Sequence, residues 1–192
     1  MNSNSRNSDR RTQIRKITFS ALFLALALVL PFVTGQIPEV GRFISPMHIP
    51  AFLCGFICGP LWGAVVGFTA PLLRFVLFSM PDLMTAIPMA FELASYAVLS
   101  ALLYRLAVSY IGNRWLRCAL PLALSMVGGR IVYSAVKIAV LGIGGESVSA
   151  AAYIAVFAQS FAGTWLGIIL QICLIPPIVY ALELYLEKNK KA

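Results

Sequence analysis

Acid is scarce in this chain: seven Asp and Glu stand among 192 residues, against fifteen Lys and Arg. One histidine and four cysteines are present. These shortages exclude most catalytic and metal chemistry. There is no HExxH and no paired-aspartate motif, and no Ser or Cys has a positioned base. Cys54 and Cys58 lie one turn apart with Cys118 and Cys173 remote, so neither a metal set nor a disulfide framework is suggested. The single histidine, His48, sits beside Pro46 and Pro50 and reads as a helix-start or loop-contact residue, not a base. A nucleotide-binding loop and a solenoid-type repeat are also missing. Nothing here asks for a cofactor, a metal or a nucleic-acid partner.

What the chain has is apolar length. Sixty per cent of its residues are hydrophobic and 11% charged, with a mean hydropathy of +0.87. That balance belongs to a polytopic membrane protein and not to a soluble domain. The first apolar segment follows Arg6, Arg10, Arg11, Arg15 and Lys16, as a signal peptide would. It has no small-residue cleavage site before Pro31 and further spans follow, so it reads as a retained helix. The polar stretch 1–15 before it reads as a disordered basic tail. Expected helices are 16–34, 48–59, 60–79, 85–105, 118–143 and 153–185, with a basic tail at 188–192. The connections SMPDLM, RLAVSYIGNRWLR and GGESVSAA are short.

The run Ile49 to Phe78 decides the topology. As one helix it would rise about 45 Å, beyond a hydrocarbon core of roughly 30 Å. Read as two, it gives six transmembrane helices in one all-α bundle with both termini cytoplasmic. Eleven of the fifteen basic residues then share the cytoplasmic side: the N-terminal five, Arg105, Arg114 and Arg117, and Lys188, Lys190 and Lys191. The outer loops hold Arg42 with Glu39, Asp82 and Glu146. That asymmetry follows the positive-inside rule. Gly59-Pro60 becomes a hairpin, since glycine suits a helix C-terminus and proline the first turn of the next helix. Gly55, Gly59, Gly63 and Gly67, four residues apart, read as small-residue packing faces.

Charge inside the spans is then the exception to be explained. Arg74, Arg130 and Lys137 are intramembrane cations, and Glu92 is the one acid deep in a span. Each costs roughly 2.5–3.5 kcal/mol on insertion scales, so these side chains belong at the bundle interior or a wet cavity. Counted from the helix ends, Arg74, Glu92, Lys137 and Gln159 lie at similar depths, about 8–10 Å below the outer surface. Arg130 lies deeper, on the same helix face as Lys137, with Tyr133 and Ser134 between them. One reading is an outward-facing pocket for a small polar solute, lined by Arg74, Glu92, Tyr96, Arg130, Tyr133, Lys137 and Gln159. Glu92 offsets one of three cations, so an anionic ligand would supply missing counter-charge. The other reading is ion pairs that fix helix register, with Arg74 and Lys137 snorkelling to headgroups.

A basic N-terminus leading into TFSALFLALALVLP, then ISPMHIPAFLCGFICGPLWGAVVGFTAPLLR, then TAIPMAFELASY, resembles the substrate-binding membrane subunits (S-components) of energy-coupling factor (ECF) transporters. The resemblance runs from about Lys16 to the C-terminus. It implies a multi-pass subunit of the bacterial plasma membrane that captures a water-soluble vitamin from outside and has no ATPase of its own. Its implied partners are a coupling membrane protein and two ATP-binding-cassette ATPases, besides the lipid bilayer. The family's Ala-x-x-x-Ala motif, a contact for the coupling protein, is matched by Ala21 and Ala25. Its pocket lids correspond to 35–47 and 79–84. The TAIPMAFELASY stretch is similar to the pantothenate-type branch, and the cationic excess suits an anionic vitamin such as pantothenate. A self-sufficient secondary transporter or small channel, with Glu92 as its ion or proton site, is the alternative.

Overall fold

The computed structural model describes residues 3–33, 45–145 and 149–191. All regular structure among them is helical: α1 (Ser3–Val33), α2 (His48–Cys58), α3 (Pro60–Phe78), α4 (Leu83–Tyr110), α5 (Arg114–Ile143), α6 (Ala150–Ala162) and α7 (Trp165–Lys191). Five of the seven contain stretches long and apolar enough to cross a membrane: Arg10–Phe32, Pro60–Phe78, Leu83–Tyr110, Arg114–Ile143 and Trp165–Leu182. The expected loop residues Glu39, Arg42 and Glu146, and most of the first expected lid, lie outside the described residues.

The helix break between α2 and α3 falls at Gly59. Its φ of 94° and ψ of 177° suit a residue without a Cβ, and Pro60 opens α3, where its missing N–H costs no helical bond. Helix α2 is short. Its 11 residues rise about 16 Å, roughly half a hydrocarbon thickness.

Helix α4 is the most deeply buried of the long helices and packs against α2, α3 and α5. Glycine makes that approach possible. A Cβ placed on Gly55 would stand 2.5 Å from the Ala97 carbonyl oxygen, and one on Gly67 would stand 2.6 Å from the Leu93 carbonyl. Gly63 abuts Gly55 and Ala97 in the same way. Beside this seam, Phe23, Phe52, Tyr96, Leu122, Ile175 and Val179 form the apolar core shared by α1, α2, α4, α5 and α7.

Several boundaries differ from the sequence reading, among them the end of α7, which runs to Lys191 and so takes in most of the expected tail at 188–192. Helix α1 begins at Ser3 and so takes in the polar stretch expected to be disordered. No glycine or proline occurs before Pro31, and each added residue propagates the helix by one hydrogen bond. The thirteen-residue connection before Cys118 contracts to 111–113, because Asn113 caps α5 through bonds from Trp115 N at 3.0 Å and Leu116 N at 3.5 Å. The helix expected over 153–185 is divided in two. At Gly163 the ladder tightens, with Thr164 N bonded to Phe161 O, and α7 restarts from the Thr164 carbonyl, which accepts from Ile168 N.

Candidate functional site

Glu92 lies on α4 and is 2% exposed, a depth at which a carboxylate needs several partners. It has them from three helices. One turn further along α4, the Tyr96 hydroxyl donates to Oε1 at 2.6 Å. From α5, Arg130 Nη1 pairs with the same oxygen at 3.1 Å. From the first residue of α2, His48 Nε2 stands 3.8 Å from Oε2. The phenol of Tyr96 reaches this position because residue 129, next to Arg130, is glycine: a Cβ there would collide with the Tyr96 ring.

Arg130 ties Glu92 to the break between α6 and α7. Its Nη2 donates to Thr164 Oγ1 at 2.7 Å, and that hydroxyl donates in turn to Ser160 O, also at 2.7 Å. The Phe161 ring faces the guanidinium, with its centroid 5.9 Å from Cζ. Two groups of this cluster remain incompletely satisfied. Neither ring nitrogen of His48 has a hydrogen-bond partner, nor does Arg130 Nε, although both side chains are more than nine-tenths buried.

The other two cations are held by backbone. Pro88 lacks an N–H, so the Met84 carbonyl one turn earlier has no helical donor. Lys137 Nζ supplies it, at 3.0 Å. Arg74 is 4% exposed, donates to Leu28 O at 2.8 Å, and lies over the rings of Phe32 and Phe78 at 5.2 and 5.5 Å. It thereby joins α3 to α1.

These groups surround a cavity of about 680 Å³. Arg74, Glu92, Arg130, Tyr133, Lys137 and Gln159 all line it, so the structure brings together six residues that the sequence singled out. Tyr96 does not line it; it stands behind Glu92, where its role is to hold the carboxylate. The sequence reading missed His48, Ser160 and Thr164, which also line the cavity. A lone histidine between two prolines in an apolar chain was the available signal for the first. Asp82 is on the wall too, so the cationic excess is one charge, not the two expected from Glu92 alone. The wall also includes Ser45, Pro46 and Met47 and the turn Ser79 to Asp82, the described parts of the two expected lids. Ala21 and Ala25 do not line the cavity and are exposed on α1. Among the described residues no group of three His, Cys, Asp or Glu is placed to hold a metal.

The model of the family "ECF transporter, substrate-specific component" matches residues 15–180. Comparison with curated proteins and with solved structures finds no match. A family match over most of the chain, on a helical protein whose intramembrane charges converge on one cavity, is decisive: the chain belongs to the substrate-specific components of ECF transporters, membrane transport subunits that work with an energy-coupling module and are not enzymes.

Proposed function

We propose that this subunit captures an anionic water-soluble vitamin, pantothenate fitting best, in the cavity above Glu92 and Arg130. The observation that carries the reading is the gathering of Arg74, Glu92, Arg130, Tyr133, Lys137 and Gln159 around one space of about 680 Å³. That volume is in the range of small-molecule sites. Charges are retained in apolar spans where they serve a solute path or site. The net positive wall, with Tyr133 and Gln159 as polar partners, suits a carboxylate carried on an amide and hydroxyl framework.

The topology consistent with this is six spans with both termini cytoplasmic, α2 and α3 forming the Gly59-Pro60 hairpin and α6 with α7 the broken last span. Helix α2 reaches only half-way from that hairpin, and the cavity occupies the other half. The solute enters from outside, and residues 79–84 close over it. Ala21 and Ala25 form the strip on which the coupling membrane protein docks, and two ATPases drive delivery. The alternative in which Glu92 serves as the ion site of a self-sufficient transporter is disfavoured by its pairing with Arg130 at 3.1 Å.

Mass spectrometry of small molecules released from the purified, detergent-solubilised protein tests the reading, with Arg130→Ala alongside. One vitamin released from wild type and lost in the variant is expected. No release after growth in a vitamin mixture, together with no thermal stabilisation by any vitamin, overturns it.

A further inference from the structure

The intuitive anchor for an anion in this cavity is Arg130, its deepest cation, but its charge is already met. Nη1 pairs with Glu92 Oε1 and Nη2 donates to Thr164 Oγ1, and Nε is the guanidinium nitrogen without a partner. An anion accepting from any remaining N–H of this guanidinium would lie close to the Glu92 carboxylate, and like charges repel strongly where water is excluded. Glu92 and Arg130 thus offset each other at the inner end of the cavity. Hydrogen bonds are still lacking there, at Arg130 Nε and at both nitrogens of His48. The imidazole offers two ring nitrogens for hydrogen bonding, and Nε offers a donor. The complement of that set is an uncharged group with its own donor and acceptor side by side, such as an amide or a hydroxyl.

Lys137 differs in every respect. It is half-buried, it has no carboxylate partner among the described residues, and it donates to a neutral carbonyl, Met84 O. An ammonium has three donors, so two remain for a ligand. Arg74 is less available, caged between Phe32, Phe78 and Leu28 O. Asp82 also faces the cavity but is exposed, where water screens its charge. Lys137 is two helical turns from Arg130, about 10 Å along α5.

We propose that the cavity has two unlike subsites: His48 and Arg130 Nε bind an amide or hydroxyl at the inner end, and Lys137 binds a carboxylate about 10 Å away. The assignment rests on the capture reading above and adds orientation to it. The ligand enters with its uncharged polar end first, and its carboxylate is the last group to be seated. Selectivity for acids over their neutral analogues then resides in Lys137, not in Arg130.

Thermal-stability titrations of the purified protein separate these roles. The probes are pantothenate, biotin and folate, each beside its neutral alcohol or amide counterpart. In wild type, at least one acid is expected to bind about tenfold or more tightly than its counterpart, the preference a charge-assisted hydrogen bond supplies. Lys137→Met is expected to remove that preference, so that acid and counterpart bind alike. His48→Phe is expected to weaken both about tenfold and leave the preference intact. Each ratio is measured within one preparation, so any loss of folding affects both probes equally. Retention of the acid preference in Lys137→Met overturns the subsite assignment while vitamin capture stands. If none of the acids stabilises wild type, the subsite assignment fails, and if in addition no vitamin is released from the purified protein, the capture reading fails with it.

Discussion

Glu92 on α4 and Arg130 on α5 support each other across two helices, and Tyr96 is the partner Glu92 has on its own helix. Converting Glu92 to Gln leaves a buried guanidinium without its counter-ion, a change that costs about 3–5 kcal/mol when one partner of a buried pair is removed. Replacing both, as Glu92→Gln with Arg130→Met, removes the stranded charge, so the double variant is expected to be more stable than Glu92→Gln alone. Thermal unfolding of wild type, Glu92→Gln, Arg130→Met and the double variant in detergent measures this non-additivity; additive losses would show that the pair is not coupled. Thr164→Val removes one acceptor from Arg130 and is expected to cost about 1–3 kcal/mol in the same assay. Part of this cluster was legible in the sequence. Ionisable residues in spans are rare enough to be noticed, and the seven-residue spacing put Arg130 and Lys137 on one face. Thr164 and His48 were not legible, because their places depend on where a helix breaks and on how deep a short helix starts. Neither is encoded in hydropathy.

At the scale of elements, the fold depends on how closely α2, α3 and α4 approach. Gly67 touches the α4 backbone at Leu93, which cannot move aside as a flexible side chain can. Gly67→Ala is therefore expected to destabilise by about 1–3 kcal/mol through overpacking. Gly112, in the turn between α4 and α5, has nothing within 4 Å of an added Cβ. Gly112→Ala is expected to lie within about 0.5 kcal/mol of wild type, so the pair of variants separates close packing from loss of glycine as such. The four-residue glycine spacing pointed to small-residue faces, and the structure identifies the backbone of α4 as what Gly55 and Gly67 meet, with Gly63 against Gly55 and the Ala97 side chain. Hydropathy alone could not divide 153–185, since Gly163 and Thr164 lie within a continuous apolar run and tolerate helix well enough to be overlooked. The break coincides with the Arg130–Thr164–Ser160 chain of hydrogen bonds, a tertiary feature that outweighs local preference.

At the scale of the whole molecule, the docking strip proposed on α1 uses residues that do not line the cavity. Helix α1 is the least buried of the long helices. Its inner side carries Phe23 and Ala27 into the core, while Ala21, Leu22, Ala25, Leu26 and Val29 are exposed on the other side. Two alanines one turn apart offer a partner helix a close approach, and side chains as large as tryptophan would prevent it. Since neither alanine lines the cavity or enters the core, the variant Ala21→Trp with Ala25→Trp is expected to fold and to bind vitamin as wild type does. Uptake of labelled vitamin by cells that also make the coupling protein and ATPases is expected to be abolished. Both readouts are needed because they fail differently. Loss of binding and uptake together would mean that α1 shapes the cavity, through the Arg74 contact with Leu28 O. Unchanged uptake would mean that the coupling protein docks on another face, and loss of uptake with binding intact would assign capture and delivery to separate surfaces of one helical bundle.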